Sequence, residues 1–273
     1  MWSLFIPAST SARDSLSTQL WELGTAGLVE EANGLRAFFE DCVDQESICT
    51  QLGLPLSATK HEAPFDPSQL AALDCDPILI GQKFFVAPSS VTLPTPPGRV
   101  RLTIDTTIAF GSGRHESTQL CMEALEEYLK PGDFVADIGC GSGILSAAAS
   151  ALGAGIVVSC DIHQGSVEAA RRFIQSPIFV GSADCLRSAT ADIVLANLSL
   201  KIVDIVAHDL QRITKPNGLI VMSGFLHETP PKKFTAWKVS TKGDWGCWLC
   251  RRDDIHSDEA SGEPVAHSQQ WWL

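Results

Sequence analysis

The sequence predicts an α/β protein: a mainly parallel sheet with helices on both faces over residues 100–252, preceded by a small α+β domain. Three observations predict it. From about residue 100, apolar runs of strand length alternate with helical stretches, the pattern of repeated βα units. Before residue 62 the chain is broken into shorter elements by Gly24, Asn33-Gly34 and Gly53. Between the two lies a stretch punctuated by Pro64, Pro67, Pro77, Pro88, Pro94, Pro96 and Pro97.

The first domain, residues 1–62, opens with Trp2, Leu4 and Ile6 on one face of a strand. Ser9, Thr10 and Ser11 offer N-caps for a helix through Leu16, Leu20 and Leu23 that stops at Gly24. Leu28–Glu31 and Leu35–Phe39 flank Asn33-Gly34, a strong hairpin signal. A second helix over Asp44–Leu52 and a strand over Ala58–Glu62 complete β-α-β-β-α-β, the ferredoxin-like order. Residues 63–99 read as a proline-rich linker with little regular structure, apart from a short strand at Phe84–Ala87. Strands are then expected at Val100–Ile104, Phe134–Ile138, Ile156–Asp161, Ile178–Gly181, Ile193–Asn197, Gly218–Ser223, Ala236–Ser240 and Gly246–Arg251. Helices are expected at Ser117–Leu129, Gly143–Leu152, Gly165–Ile174 and Lys201–Ile213. Residues 253–273 are polar and read as a disordered tail, whose final Gln-Gln-Trp-Trp-Leu either packs on the protein or binds a partner.

Composition excludes several classes. A formal charge of −12 argues against general nucleic-acid binding, which wants a basic face. The charge serves solubility or suits a basic protein partner. No window approaches the roughly 20 apolar residues of a membrane span. The opening residues lack the basic and apolar regions of a secretory leader. Nine scattered cysteines then read as reduced thiols of a cytoplasmic protein. Cys247-Trp-Leu-Cys250 has zinc or redox spacing, but no second pair lies nearby. Positions three apart on a strand also face opposite sides, so the pair reads as structural and no metal is expected.

The chemistry concentrates in three segments. Val135-Ala-Asp-Ile-Gly139-Cys-Gly141-Ser-Gly143 is an apolar strand running into a glycine-rich turn that opens a helix, where backbone can approach a ligand closely. About twenty residues on, the next strand ends at Asp161, a carboxylate suited to both hydroxyls of a ribose. A nicotinamide-binding turn would place its third glycine one residue later, where Ile144 stands. A third strand ends at Asn197, whose carbonyl either accepts a hydrogen bond from a reacting amine or caps the next helix. Ahead of all three lies Phe110-Gly-Ser-Gly-Arg-His-Glu-Ser-Thr118, an unusually glycine-rich loop.

A G-x-G-x-G turn followed by an acidic strand end resembles the S-adenosylmethionine (SAM)-dependent methyltransferases. FGSGRHEST, DIGCGSGILS, CDIHQGSVEAARR and ANLSL, in this order, resemble the bacterial ribosomal protein L-eleven methyltransferases. The Met1-Trp2 opening and the ending GDWGCWLCRR fit the same family, so the resemblance covers nearly all of residues 1–252. Ser112 and Ser117 stand where that family has threonines, Glu116 where proline is usual, His163 in place of a common second acid, and Ser199 in the ANLSL segment; the usual linker tryptophans are missing.

The resemblance implies a Rossmann-like class I methyltransferase sheet behind a ferredoxin-like, substrate-recognising domain. It implies a cytoplasmic enzyme that transfers methyl groups from SAM to lysine ε-amines and the N-terminal α-amine of ribosomal protein L-eleven, free or on the large subunit. Carried over residue by residue, the loop Phe110–Thr118 closes over SAM with Thr118 against it. Gly139 and Gly141 meet its methionine or ribose part, Asp161 its ribose, and Asn197 lies beside the reacting amine. His115 binds the cofactor or fixes the loop. Asp184, after the third strand, is a further candidate for the adenine amine. The competing readings are a methyltransferase for another protein lysine or a small amine, and a non-catalytic SAM-binding module.

Overall fold

The computed structural model describes residues 2–9, 13, 16, 17, 19, 20, 23–25, 27–31, 33–39, 41–61, 76–104 and 113–253. Within the first segment, β1 (Trp2–Pro7), β2 (Gly27–Glu31), β3 (Gly34–Phe39) and β4 (Thr59–His61) form an antiparallel sheet in the order β2-β3-β1-β4. Trp2 pairs with Phe39 across the sheet and their rings stack at 4.5 Å. Leu4, Leu20, Leu35 and Ile48 close the core around them. Helix α1 (Gln45–Gln51) starts because the Asp44 carboxylate accepts the Glu46 amide at 3.0 Å. The helix expected through Leu16 lies partly outside the described residues, and residues 105–112 and the tail from 254 lie wholly outside them.

Residues 76–99 of the expected linker carry regular structure. Residues 62–75 lie outside the described residues, but β5 (Ile78–Ile80) and β6 (Phe84–Pro88) pair antiparallel, and β7 (Val100–Ile104) joins β6 in parallel. Val100–Ile104 therefore belongs to this three-stranded sheet, and the expectation that it joins the main sheet is corrected. Pro77, Pro88, Pro94, Pro96 and Pro97 fall at strand ends and in the connection, which leaves the apolar runs Ile-Leu-Ile and Phe-Phe-Val-Ala to pair. Arg99 donates to the carbonyls of Ile80, Gly81 and Phe84 at 3.3, 3.0 and 2.8 Å, fastening the hairpin. Ile80, Phe84 and Val86 are buried in the same core as the main sheet, so the stretch is packed and not a tether.

The main sheet has seven strands: β8 (Phe134–Ile138), β9 (Ile156–Asp161), β10 (Ile178–Val180), β11 (Ala191–Asn197), β12 (Thr214–Leu226), β13 (Lys238–Lys242) and β14 (Trp245–Arg251). Their order is β10-β9-β8-β11-β12-β14-β13, parallel through β12, with β14 antiparallel to both its neighbours. Helices α2 (Glu116–Tyr128) and α3 (Ile144–Ala151) cover one face through Cys121, Leu125, Leu145 and Ala148. Helix α5 (Leu200–Ile213) covers the other through Val203, Ala207 and Leu210, while α4 (Gln164–Ala170) packs at the β9–β10 end. Burial on both faces explains why the strands read as continuous apolar runs. Val135 and Leu195 enter one core, Ala136 and Val194 the other. Cys247 and Cys250 divide in the same way, each a buried thiol outside any disulfide, which separates the pair across the sheet. Strand order reverses between β8 and β11, so the carboxyl ends of these strands frame the crevice where open α/β sheets hold ligands. No helix among the described residues is long and apolar enough to cross a membrane.

Candidate functional site

The crevice floor is the turn after β8. Gly139, Gly141 and Gly143 all have positive φ, at 70°, 53° and 80°, conformations that disfavour any side chain, and Gly143 caps α3. The amides of Gly139 and Cys140 both donate to the Cys160 carbonyl, at 2.9 and 3.0 Å. This bends the turn over the end of β9. Asp161, the last residue of β9, is then drawn into the turn: its Oδ2 accepts the Gly141 amide at 3.0 Å and its Oδ1 accepts the His163 amide at 2.9 Å. Each oxygen keeps a second lone pair for a ligand. A Cβ built on Gly141 would meet nothing within 4 Å, so the turn is open on that side.

Asn197 ends β11 beside Ser223 of β12. Its Nδ2 donates to Thr118 Oγ1 at 3.2 Å, joining the strand end to the first turn of α2. Its Oδ1 is buried and has no partner among the described residues. Ser199 precedes α5 and Asn197 does not cap it, so the capping alternative is set aside. The backbone just beyond is pressed against β12: Leu198 N donates to Ser223 O at 2.9 Å, and Gly224 adopts φ 96° opposite it.

His115 is the N-cap of α2. Its Nδ1 accepts the Ser117 amide at 3.3 Å and lies 2.7 Å from Ser117 Oγ, which puts the ring proton on Nε2. Through Nδ1, His115 fixes the chain entering α2, one of the two roles open to it. Its ring also meets Trp245 edge-on at 4.3 Å. Trp245, at the start of β14, is half-buried and brings that strand to the mouth of the crevice; only the fold reveals it. Arg114 donates to the Asp76 carbonyl, and Gln119 Nε2 to the Arg114 carbonyl at 2.6 Å. Phe110 lies outside the described residues. Asp184 is exposed on a short 3-10 turn, Ala183–Cys185, whose Ala183 and Asp184 carbonyls are held by Arg212 at 3.0 and 3.2 Å.

One residue of the turn segment was read only as part of a strand. Asp137 is 1% exposed, an ionisable group within an apolar strand, which is the signal that singles it out. Ser146 on α3 donates its hydroxyl to Asp137 Oδ2 at 2.5 Å, and the Ser159 hydroxyl lies 2.7 Å from Ser146 Oγ. Ser146 has one proton, so Ser159 donates to Ser146. Asp137 Oδ1 has no partner among the described residues. Burial pushes the carboxyl up to about 6, opposed by Ser146 and helped by the nearby Asp161 charge. The folded carboxyl thus holds its proton more tightly than the unfolded one, at 3.8. This group favours the fold below pH 4 and penalises it increasingly as pH rises to 6, by about 3 kcal/mol in full. We therefore expect Asp137→Asn to be more stable than the native protein in urea titrations at pH 8, with the difference shrinking towards pH 4. A pH-independent difference would contradict this account.

The model of the ribosomal protein L11 methyltransferase (PrmA) family matches residues 69–253. The chain belongs to that family. It is 34% identical over 233 residues to the ribosomal protein L11 methyltransferase of Cupriavidus necator, an alignment covering 78% of this chain and 76% of that protein. It is 42% identical over 154 residues to that of Burkholderia thailandensis, covering 55% and 51%. The chain thus spans from about half to three-quarters of the length of these curated relatives. Among solved structures, the ribosomal protein L11 methylase of Lactobacillus delbrueckii subsp. bulgaricus superposes with TM-score 0.57 at 24% identity, over 63% of this chain and 95% of that one, which supports the fold. The family match begins inside the expected linker. This agrees with the packing of β5 to β7 against the main sheet.

Proposed function

We propose that this chain methylates ribosomal protein L11, moving methyl groups from SAM to lysine ε-amines and the N-terminal α-amine. The observation that supports this reading is the buried Asn197 Oδ1, without a partner among the described residues, on a side chain whose Nδ2 donates to Thr118 at the end of β11. A buried acceptor without a donor costs about 1–3 kcal/mol, and a substrate amine would satisfy it.

The residues present fit SAM. The open side of Gly141 leaves room for a ligand, and Asp161 keeps acceptor capacity on both oxygens for a ribose. Asp161, Gly139, Gly141 and Thr118 would hold the cofactor, with Phe110 and His115 contributing from the loop ahead of α2. When bound, SAM supplies a methyl group on an electron-poor sulfonium. Asn197 orients the amine by accepting one of its hydrogens, which directs the nitrogen lone pair towards the crevice. A free lysine, near pKa 10.4, is rarely neutral at pH 7. Burying the amine in the crevice lowers that value, so no dedicated base is needed. The sheet of residues 1–62 would recognise the substrate protein in the cytoplasm.

The test is mass spectrometry of L11 after incubation with this protein and SAM. Mass gains in steps of one methyl are expected, with fragmentation locating the amines. An unchanged mass alongside demonstrated SAM binding would sink the L11 assignment and favour another amine or a binding-only role. Asp161→Ala should weaken SAM binding by about 100-fold, from loss of two charge-assisted hydrogen bonds of about 1.5 kcal/mol each. Calorimetric affinity within a few-fold of native would remove Asp161 from the cofactor site.

A further inference from the structure

We propose that Ser223 is a positioning residue for methyl transfer: its hydroxyl, bound to the Gly246 carbonyl across a bulge in β12, closes a ring of contacts that sets the angle at which Asn197 meets the substrate amine. This inference rests on the L11 reading above and adds to it a residue with no exposed surface.

Ser223 follows the apolar run Leu219-Ile-Val-Met222 on β12, and a hydroxyl buried there is costly unless it is bonded. Its bonds therefore indicate its role. The pairing of β12 with β14 slips at this point: Ser223 faces Cys247, Phe225 faces Gly246, and Gly224, at φ 96°, is the extra residue between them. A bulge of this kind bends its strand away from the regular ladder. The Ser223 hydroxyl spans the irregularity by donating to the Gly246 carbonyl at 2.6 Å, which holds β14 to the bulged strand. The Ser223 carbonyl accepts the Leu198 amide at 2.9 Å, which holds the end of β11. The Cys121 thiol, on α2, lies against the same hydroxyl.

Leu198 directly follows Asn197, and Gly246 directly follows Trp245. One buried residue thus fastens the neighbour of each. The two are also joined on their other side: the Trp245 ring meets His115 at 4.3 Å, His115 caps α2, and Thr118 in the first turn of α2 accepts Asn197 Nδ2 at 3.2 Å. The contacts therefore run from Asn197 through α2 to Trp245 and return through Gly246, Ser223 and Leu198. A closed ring holds its members in one mutual arrangement; an open one lets its ends drift. Without the hydroxyl, β14 is released from β12 at the bulge, and Trp245 and the start of α2 can shift against Asn197. The glycine turn stands outside this ring, because its bonds run to Cys160 and Asp161 of β9. The amine's acceptor then moves while the turn and the ribose carboxylate keep their places. Methyl transfer is sensitive to such a shift, since a misplacement of about 1 Å can cost about 100-fold in rate.

The test is a double-mutant cycle on the full chain, read as the single-turnover rate at saturating L11 and SAM. Each rate is divided by the concentration of SAM-binding sites from calorimetry, so that a variant which merely unfolds in part does not register as slow. We expect Ser223→Ala to lower that rate by about tenfold while SAM affinity stays within a few-fold of native. In an Asn197→Ala background the same substitution should change the rate by less than about twofold, because the group it positions is already gone. If Ser223→Ala does not fold, Ser223→Cys serves under reducing conditions. A thiol is a weaker donor than a hydroxyl, so its rate should fall below the native one and show the same dependence on Asn197. A native rate per site in either variant would overturn the proposal and leave the hydroxyl a purely structural bond. An equal loss with and without Asn197 would also overturn it, because Ser223 would then act through another group. A native protein that binds SAM and leaves L11 unmethylated would overturn the L11 reading itself, and this inference with it.

Discussion

Asn197→Ala will lower turnover on L11 by about 100-fold while SAM affinity stays within a few-fold of native. The difference between the two effects follows from the side chain's two ends. Nδ2 is committed to Thr118 Oγ1, and Thr118 stays in the first turn of α2, anchored by the His115 cap, when that bond is lost. The cofactor surfaces at Asp161 and the glycine turn are held by backbone bonds that do not involve Asn197. Oδ1 has no partner among the described residues, so its removal is felt by what enters the crevice. The loss should therefore appear in single-turnover rate and not in calorimetric binding. Asn197→Asp gives a sharper readout. A carboxylate there would stabilise the protonated amine, raise its pKa and move the rate profile to higher pH. An Ala variant turning over at the native rate would remove Asn197 from the amine's surroundings.

The features legible in the sequence were those with a local cause. Both faces of the main sheet are buried, so β8, β11, β12 and β14 are written as unbroken apolar runs whose positions hardly depend on distant contacts. The turn announced itself because three positive φ angles within five residues are tolerated only by glycine. What was not legible depended on contacts distant in sequence. Asn197 and Thr118 are 79 residues apart, and until their bond is seen a helix cap explains the asparagine equally well. His115 and Trp245 meet across 130 positions, which no motif records. Apart from Phe84–Ala87, the stretch from Ile78 to Pro88 reads as a spacer because prolines surround it, yet Pro88 only ends β6 and still pairs with Ile104. It is the main core, through Ile80, Phe84 and Val86, that makes strands of these short runs. Asp137 was visible but was read as one more strand position; its meaning lies in the orphaned oxygen, which only packing reveals.

Two glycines that press on the same leucine should respond oppositely to a second mutation. A Cβ on Gly139 would come within 2.3 Å of Leu198 Cδ2, the far end of a flexible side chain. A Cβ on Gly224 would come within 2.5 Å of the Leu198 carbonyl oxygen and 2.9 Å of its backbone carbon and nitrogen. Both positions also carry positive φ, 70° and 96°, which costs a residue with a side chain about 1–2 kcal/mol. For Gly139→Ala the strain is the main cost, because Leu198 can turn aside. Gly224→Ala must instead push the main chain that follows Asn197, adding an overpacking cost of about 1–3 kcal/mol. We expect Gly224→Ala to lose about 3–4 kcal/mol in denaturant titrations and to lower turnover as well, since the Leu198 amide bond to Ser223 O holds Asn197 in register with β12. Shortening the side chain with Leu198→Ala should recover part of the stability lost in Gly139→Ala. It should recover none in Gly224→Ala, because the colliding atoms are backbone and remain. Equal rescue at both positions would mean that side-chain crowding governs both. The tight apposition of β12 against the Asn197 strand end would then not be what fixes the site.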